Sequence, residues 1–427
     1  MAFKKSILSR SFELAKMSIN IGVKELKSGS LHSRIEQAKV LAQSLTQLRG
    51  AAMKAGQLIS IEMADYFPPE AAEVLAQMQN QATSSSYEVI QKILIQELGS
   101  KKFNSITKID QKAVASASIA QIHRAVWENQ NIALKIQHEG VIQSIDSDLS
   151  IIKKLSETFC KLTQREIDLT PLFNELKEVL IQETDFLQEA HFLNEYKNKI
   201  ASMDEKYKIF YSTPSVISEL TTKRVLAMSW EEGETITHWM RTLPSMNDRN
   251  DLAHLILNLY CHEFFVWGLV QTDPNFSNFL IRKTDNNLKL VLLDFGSTRH
   301  YDNIMVNQYI ELMRSVQSRN SAKIISEAID FGMINEKEST AAKELFVKMM
   351  FLAIEPFETN GEFDFANSDY AKRSQGVIFE FVKSLKYSPP PHRIIFLHRK
   401  LAGIFSLLKK LEIKLNITSY WDFMINK

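Results

Sequence analysis

The chain has 427 residues, of which 45% are hydrophobic and 24% charged, a composition typical of a folded globular protein and not of a disordered or fibrous one. Its 51 basic and 50 acidic residues leave a net charge of +1, so no overall positive field indicates a nucleic-acid partner. Two cysteines, Cys160 and Cys261, supply neither a disulfide framework nor a cysteine zinc site. We expect no transmembrane helix and no secretory signal, because no long uncharged apolar run is present.

The first part of the chain is predicted to be a helical extension, residues 1–105, because Leu, Ile, Ala and Met recur there at helical spacing. Up to Lys54 this extension has ten Lys and Arg against three Glu. A basic amphipathic surface of this kind suits anionic lipid, although a solvated helix face is the commoner explanation.

Residues 106–232 are predicted to form a small β-rich lobe that contains one long helix. Alternating β-branched residues at 121–127 and 131–137 flank a polar turn and predict a hairpin. Thr170 is predicted to cap, and Pro171 to open, one continuous helix that reaches about Lys197. Two further strands are predicted at 215–219 and 224–230.

Residues 233–427 are predicted to form a mostly helical lobe entered through a polar hinge at 231–234. Short strands are expected at 279–282 and 288–293, and nearly everything after Ile304 has a helical pattern. The predicted fold class is therefore α+β, with two lobes and a cleft between them, where ligands usually bind.

The strongest chemical signal is Asp273-Pro-Asn-Phe-Ser-Asn278, followed by a strand pair and Asp294-Phe295-Gly296. Phosphoryl transfer needs Mg²⁺ held by an acid and an amide oxygen, with another carboxylate directed at the acceptor. These segments supply all three groups in the order found in protein kinases. The alternative is that Asp273 and Asn278 only cap turns.

Lys135 ends the second strand of the predicted hairpin, where a kinase fold places the lysine that contacts the phosphates. Its candidate partners on the predicted helix are Glu183, Asp185 and Glu189. On one continuous helix Asp185 and Glu189 share a face, whereas Glu183 and Glu189 point about 120° apart. We therefore expect Glu183 and Glu189 to serve different cations.

The expected phosphate loop contains no glycine. Its residues are Ala115, Ser116, Ala117 and Ser118. Since close approach of backbone to phosphate normally calls for glycine, we expect a stiffer loop with altered nucleotide geometry. In the extension, Lys54 and Gln57 lie at i and i+3 on one helix face, beside a glycine that suggests close approach to another surface.

Together these motifs resemble the UbiB family of atypical protein kinase-like proteins, also called the AarF-domain or ADCK family. Lys54-Ala-Gly-Gln57 is similar to its K-x-G-Q signature, residues 115–121 to its alanine-rich loop, and Glu183-Thr-Asp185 to its E-x-D. The phrase Gln271-Thr-Asp-Pro-Asn-Phe-Ser-Asn-Phe279 is closest to the mitochondrial coenzyme Q branch. The segment Leu397-His-Arg-Lys-Leu401 also resembles that branch.

The resemblance implies roles for individual residues. Lys135 would pair with Glu189, Asn278 and Asp294 would hold Mg²⁺, and Asp273 would occupy the catalytic-base position. The residues at 115–118, with Lys135, would contact the nucleotide, ATP or ADP. A regulatory set would project into the cleft or support it, formed by Lys54, Gln57, Glu183 and Asp185, with Glu183 as the partner of Lys54.

The function that the resemblance implies is a Mg²⁺-dependent atypical kinase or ATPase that supports isoprenoid lipid biosynthesis, with ubiquinone as the expected product. Expected partners are a lipid or isoprenoid-phenol ligand, ubiquinone-biosynthesis proteins and a peripheral contact with the cytoplasmic face of the inner membrane. Ordinary protein kinase activity is disfavoured, because no Ala-Pro-Glu follows Asp294. Two alternatives stay open: a small-molecule or lipid kinase, and a non-catalytic, nucleotide-gated scaffold.

Overall fold

The computed structural model describes residues 85–162, 168–273, 275–284, 287–387 and 394–427. Within these ranges no helix has the length and apolar character needed to cross a bilayer. The helices are, in chain order, α1 Tyr87–Ser105, α2 Val141–Leu162, α3 Thr170–Glu183, α4 Phe186–Ala201, α5 Glu205–Lys208, α6 Ile236–Arg241, α7 Met246–Cys261, α8 Asn303–Gln317, α9 Ser321–Asp330, α10 Thr340–Glu358, α11 Tyr370–Ser384, α12 Ile395–Lys410 and α13 Thr418–Ile425.

The strands form two larger sheets and two strand pairs in the described residues. Their bounds are β1 Ile106–Ile109, β2 Ala115–Ser116, β3 Ala120–Trp127, β4 Gln130–Gln137, β5 Tyr211–Ser212, β6 Val225–Ser229, β7 Glu234–Thr235, β8 Leu269–Gln271, β9 Phe279–Lys283, β10 Leu288–Leu292, β11 Thr298–His300, β12 Phe363–Asp364 and β13 Lys414–Leu415. The first sheet has the order β1-β3-β4-β6, with β2 on β3, and the second has the order β5-β10-β9-β7. Strand β8 pairs with β11, and β12 with β13. The predicted α+β class is confirmed.

The predicted hairpin is β3 and β4, joined at Glu128 and Asn129. Both residues have left-handed φ, 48° and 61°, the combination that a tight hairpin turn requires. In the register of the pair, Ile122 faces Lys135. This register places the candidate lysine two residues before the end of β4.

Alternation along β4 decides which side chains enter which core. Ile132, Leu134 and Ile136 are fully buried together with Ile90 and Leu94 of α1, so one face of the sheet is covered by that helix. Each such side chain contributes about 1.5–3 kcal/mol when buried. The intervening residues of β4 point to the opposite face, which carries α3 and α4.

The prediction of one continuous helix after Thr170 was wrong, since the chain forms α3 and α4 with a break at Thr184 and Asp185. Asp185 is extended and its Oδ1 accepts hydrogen bonds from the backbone N–H groups of Leu187 and Gln188, at 3.1 and 3.3 Å. The Gln137 amide also donates to the carbonyl of Thr184, at 3.0 Å. A cap and a contact with the end of β4 therefore fix the break.

Two smaller expectations also differ from the structure. Thr170 is the first residue of α3 and not its cap, and its N–H donates to Asp168 Oδ1 at 2.9 Å. The strand predicted at 215–219 is a single bridge at Val216 followed by a 3₁₀ turn, Ser218–Leu220. A local turn replaces the predicted strand because the Thr221 hydroxyl accepts a hydrogen bond from the backbone N–H of Ala227 at 3.2 Å.

The predicted hinge leads directly into the second sheet. Strand β7 begins at Glu234 and pairs with β9. Arg282 on β9 donates to the Glu231 carboxylate at 2.8 Å and to the Glu232 carbonyl at 2.9 Å. The hinge residues Glu231 and Glu232 are thus held against the hairpin β9–β10. The boundaries predicted at residues 105 and 232 fall at the end of α1 and between β6 and β7.

Candidate functional site

Lys135 projects from β4 toward α4 and is almost wholly buried. Its Nζ lies 2.7 and 2.9 Å from the two carboxylate oxygens of Glu189, and 3.0 Å from Asp294 Oδ2. The side chains of Lys135 and Glu189 are 8% and 1% exposed, whereas that of Asp294 is 32% exposed. The structure therefore brings the predicted pair together and adds Asp294 as a second carboxylate.

Burial and charge oppose one another in this cluster. Burial favours the neutral form of Lys135, but Asp294 and Glu189 outweigh it and raise the pKa of the ammonium above its ordinary value. Burial raises the pKa of Glu189 to about 7, although Lys135 acts in the opposite direction. Lys135 is therefore a permanent cation at neutral pH that two acids hold from different elements.

The loop after β10 holds Asp294 at the edge of the cleft. Phe295 is fully buried and packs against Tyr196, with ring centroids 4.9 Å apart. The N–H of Gly296 donates to Asp294 Oδ1 at 2.9 Å. A side chain at Gly296 would begin 3.3 Å from that carboxylate oxygen and 3.7 Å from Glu189 Oε2. Because Phe295 is buried and Gly296 has no side chain, Asp294 is the residue of the Asp-Phe-Gly motif with a partly exposed side chain.

The second loop supplies Asp273 and Asn278. The Asn278 side-chain amide donates to Asp273 Oδ2 at 3.3 Å, and the N–H of Asn275 donates to Oδ1 at 3.1 Å. The backbone N–H of Leu293, the residue before Asp294, donates to the Asn278 carbonyl at 2.9 Å. This bond joins the two loops. The sequence-predicted trio therefore lies on two loops that are bonded to each other.

The donor set at these loops fits Mg²⁺. Asn278 presents its amide nitrogen to Asp273, so its amide oxygen is the atom that remains for a cation, and Asp294 adds a partly exposed carboxylate. Mg²⁺ prefers oxygen ligands and is commonly bound by one or two protein groups together with phosphate oxygens and water. Within the described ranges, no three or more His, Cys, Asp or Glu gather as a metal cage of protein alone.

The glycine-free loop is a tight connection between β2 and β3. The Ala117 N–H donates to the Ala120 carbonyl at 2.8 Å, and the His138 ring lies 3.2 Å from the Ala117 carbonyl. Burial lowers the pKa of His138, so the ring is neutral near pH 7. The Ser116 hydroxyl is buried and has no hydrogen-bond partner in the part of the chain that the structure describes. A phosphate oxygen would satisfy such a hydroxyl.

The acids of the E-x-D segment have different positions from those that a single helix gives. Glu183 ends α3 and accepts a hydrogen bond from the Ser297 hydroxyl, while Asp185 caps α4. Glu183 and Glu189 therefore both approach the segment after Asp294. Because the helix breaks between them, the 120° separation expected on one continuous helix does not apply, and their pairing with different cations stays a prediction. Lys54 and Gln57 lie outside the described residues, so the pairing of Lys54 with Glu183 stays a prediction.

Three residues that support the site were not singled out from the sequence. Gln182 donates to the Thr298 carbonyl at 2.6 Å, and the Thr272 hydroxyl donates to the Ser297 carbonyl at 2.7 Å. Arg399 on α12 donates to the Thr272 carbonyl at 3.0 Å. The available signal for Arg399 was a pair of consecutive cations in the first half of the helix, between apolar residues at 395–397 and 401–405, which is uncommon unless both cations are buried with partners.

A family model described as the ABC1 atypical kinase-like domain matches residues 77–328, which include every site residue whose position is given above except Arg399. The predicted Lys54 and Gln57 also lie outside the matched residues. The chain belongs to this family. Its similarity to the UbiB and ADCK proteins, and to their coenzyme Q branch, is thereby confirmed. The kinase-like character of the α+β fold is confirmed with it.

Curated relatives of this ABC1-family chain include atypical kinases named mitochondrial. It is 29% identical to atypical kinase COQ8B of Rattus norvegicus over 94% of this chain and 74% of that protein. It is also 29% identical to atypical kinase COQ8 of Saccharomyces cerevisiae, over 87% of this chain and 72% of that protein. Among solved structures, Rv3197 of Mycobacterium tuberculosis, in complex with erythromycin, matches over 98% of this chain and 97% of that one, with a TM-score of 0.59 and 20% identity. That match concerns the fold alone.

Proposed function

We propose that this ABC1-family protein binds ATP with Mg²⁺ and transfers the terminal phosphoryl group, as an atypical kinase or ATPase of the UbiB type. The single observation that carries the proposal is Lys135, held 2.7 Å from Glu189 and 3.0 Å from Asp294 at the cleft. A lysine–glutamate pair on strand and helix, next to a metal-binding acid, is the arrangement that kinase-type phosphoryl transfer requires.

Each residue has a distinct task in this proposal. Lys135 contacts phosphate oxygens and is oriented for that contact by Glu189. Asn278 and Asp294 hold Mg²⁺, which when bound neutralises charge on the phosphates. Asp273, whose carboxylate is oriented by Asn278 and by the Asn275 N–H, orients the acceptor and takes its proton. The Ser116 hydroxyl and the backbone of residues 115–118 contact the nucleotide.

The biological setting is proposed from the relatives. The COQ8 and COQ8B proteins are named atypical kinases of mitochondria, and the sequence motifs resemble the coenzyme Q branch. We propose that the chain supports isoprenoid lipid biosynthesis, with ubiquinone as product, and takes a lipid or isoprenoid-phenol ligand. Its basic residues before position 55 suit a peripheral contact with the cytoplasmic face of an anionic inner membrane.

The test is incubation with γ-labelled ATP, Mg²⁺ and vesicles that contain anionic lipid and a polyprenyl phenol. We expect release of labelled phosphate by the wild type and its loss in Asp294→Asn. Asp302→Asn is the matched control, because Asp302 caps α8 through Met305 N–H at 2.8 Å and asparagine caps equally well. Label that extracts with the lipid would identify a lipid kinase. Nucleotide binding without any transfer of label would reject an enzymatic role and leave the scaffold.

A further inference from the structure

Glu263 lies at the centre of a buried polar network behind the Asp273 loop. It belongs to a π-helical turn, His262–Trp267, that extends α7, and it is 0% exposed. Its Oε1 accepts a hydrogen bond from the Tyr196 hydroxyl at 2.9 Å, and its Oε2 forms an ion pair with Lys400 of α12. Turns of this kind are rare and often mark functional positions.

The network joins the elements that bear the catalytic residues. Tyr196 lies on α4, two helical turns after Glu189, and its oxygen is 3.3 Å from the Leu269 carbonyl at the start of β8. Burial is the largest influence on the pKa of Glu263 and raises it, while Lys400 and Tyr196 act in the opposite direction. Glu263 therefore bonds directly with α4, and through Tyr196 it is linked to β8, the strand that leads into Asp273.

Lys400 completes the network on the side of the loop. It lines a small apolar cavity together with Asp273 and Phe276, and it is attracted electrostatically by Asp273. The preceding residue, Arg399, donates to the carbonyl of Thr272. Helix α12 thus contacts the catalytic loop through two adjacent cations, of which Lys400 is 5% exposed.

The backbone between Glu263 and Asp273 has little freedom to adjust. Gly268 ends the π turn in a left-handed conformation, φ 59°, and a Cβ there would overlap the carbonyl of Tyr301. The next residues form β8, which pairs with β11 through Gln271 and Thr298. A displacement of Glu263 would therefore be transmitted along a short, rigid segment to Asp273.

We propose that the buried Glu263–Lys400 pair, supported by Tyr196, is a positioning device that holds the Asp273 loop in register with the helix that carries Glu189. Charged hydrogen bonds are roughly twice as strong as neutral ones and fix geometry more sharply. The catalytic consequence rests on the proposed phosphoryl transfer. The effect of the pair on the position of the Asp273 loop does not depend on phosphoryl transfer and is measured separately.

The experiment uses Glu263→Gln, Lys400→Met and the double variant Glu263→Gln/Lys400→Met in the full chain. The double variant is included because a lone buried charge can prevent folding, whereas a neutral pair of similar volume is usually tolerated. The matched control is Glu338→Gln, since Glu338 is also buried and bonds the backbone N–H groups of Lys386 and Tyr387.

Two readouts are taken on each variant: amide hydrogen exchange of residues 269–273, and kcat with the dissociation constant for Mg²⁺–ATP. We expect the double variant to melt close to the wild type, to exchange these amides about tenfold faster, and to lose about tenfold or more in kcat at unchanged nucleotide affinity. Glu338→Gln should change neither readout at the loop.

Wild-type exchange and kcat in the folded double variant would overturn the proposal and reduce the pair to a tolerated buried contact. If no preparation transfers phosphate, the proposed function fails, yet faster exchange in the double variant still supports the positioning role. If exchange at residues 269–273 is unchanged, the positioning role fails whatever the activity.

Discussion

Lys135 is the residue on which the candidate site depends, and its position follows from the pattern of β4. Leu134 and Ile136 are 0% exposed on the face covered by α1, so period-two alternation sends Lys135 to the other face. The sequence predicted Lys135 because it lies on the second strand of the predicted hairpin, where a kinase fold has the lysine that contacts the phosphates. Choosing its partner among three acids was harder, and here the predicted Glu189 is the carboxylate that the structure places at Lys135.

Glu189→Gln tests the importance of that ion pair. Glutamine keeps the shape and one acceptor oxygen but removes the charge, so Lys135 is left with Asp294 as its only charged carboxylate partner among the contacts described for it. We expect ATP turnover to fall about tenfold or more, since the pair must be in place for phosphoryl transfer. The control is Glu195→Gln on the same helix, whose contact with His300 is partly exposed and lies outside the candidate site. Equal turnover in the two variants would contradict the role of Glu189.

At the scale of elements, the break between α3 and α4 is the main feature that the sequence pattern missed. The polar run 182–185 interrupts the apolar spacing, and Asp185 is a residue type that caps helices, but no proline or glycine marks the break. Two tertiary contacts act together with this cap: Gln137 of β4 bonds the Thr184 carbonyl, and Phe186 N–H donates to the Lys223 carbonyl at 3.1 Å. Contacts made between elements distant in sequence leave no local signal.

Asp185 gives a direct test of this account, because it caps α4 through two backbone N–H groups. Replacing it with alanine should lower the free energy of unfolding by about 1 kcal/mol, whereas asparagine, which caps equally well, should retain nearly all of it. Urea unfolding of both variants measures the difference. If Asp185→Ala were as stable as Asp185→Asn, the cap would have no role in starting α4.

Helix α12 contributes a pH-dependent contact through His398, which lies 3.1 Å from the Tyr309 hydroxyl of α8. Burial lowers the pKa of His398 from 6.5 to about 4. The unfolded chain therefore binds a proton between these values while the folded chain does not, so stability is present above pH 6.5 and is lost as pH falls toward 4. The loss reaches at most about 1.4 kcal/mol per pH unit.

His398→Gln should remove this part of the acid destabilisation, because glutamine keeps a hydrogen-bonding group and does not titrate. Melting temperatures between pH 7 and 4 measure the slope for the wild type, this variant and His238→Gln. His238 is exposed and serves as the control, with the wild-type slope expected. Parallel curves for His398→Gln and the wild type would exclude burial of a neutral imidazole at this position.

For the whole molecule, the order of motifs predicted the two-lobed kinase-like plan, and the match to the ABC1 family confirms it. Asp273, Asn278 and Asp294 were predictable because an Asp-x₄-Asn segment, a strand pair and Asp-Phe-Gly follow one another in an order that is diagnostic. The support from α12 was not, since Arg399 and Thr272 are 127 residues apart in sequence. A local sequence pattern therefore predicts the residues that carry the proposed chemistry. The residues that support them belong to distant segments and are not predicted by such a pattern.

The central claim, a Mg²⁺-dependent nucleotide site at Lys135, Asn278 and Asp294, is tested most directly by thermal melting of the wild type and Asp294→Asn with ATP or ADP, each with and without Mg²⁺. Ligand at about 100 times its dissociation constant adds roughly 2.7 kcal/mol to the free energy of unfolding, which raises the melting temperature by several degrees. The account predicts a Mg²⁺-dependent rise in the wild type that Asp294→Asn loses. No rise in the wild type at millimolar nucleotide, or an equal rise in Asp294→Asn, would contradict it.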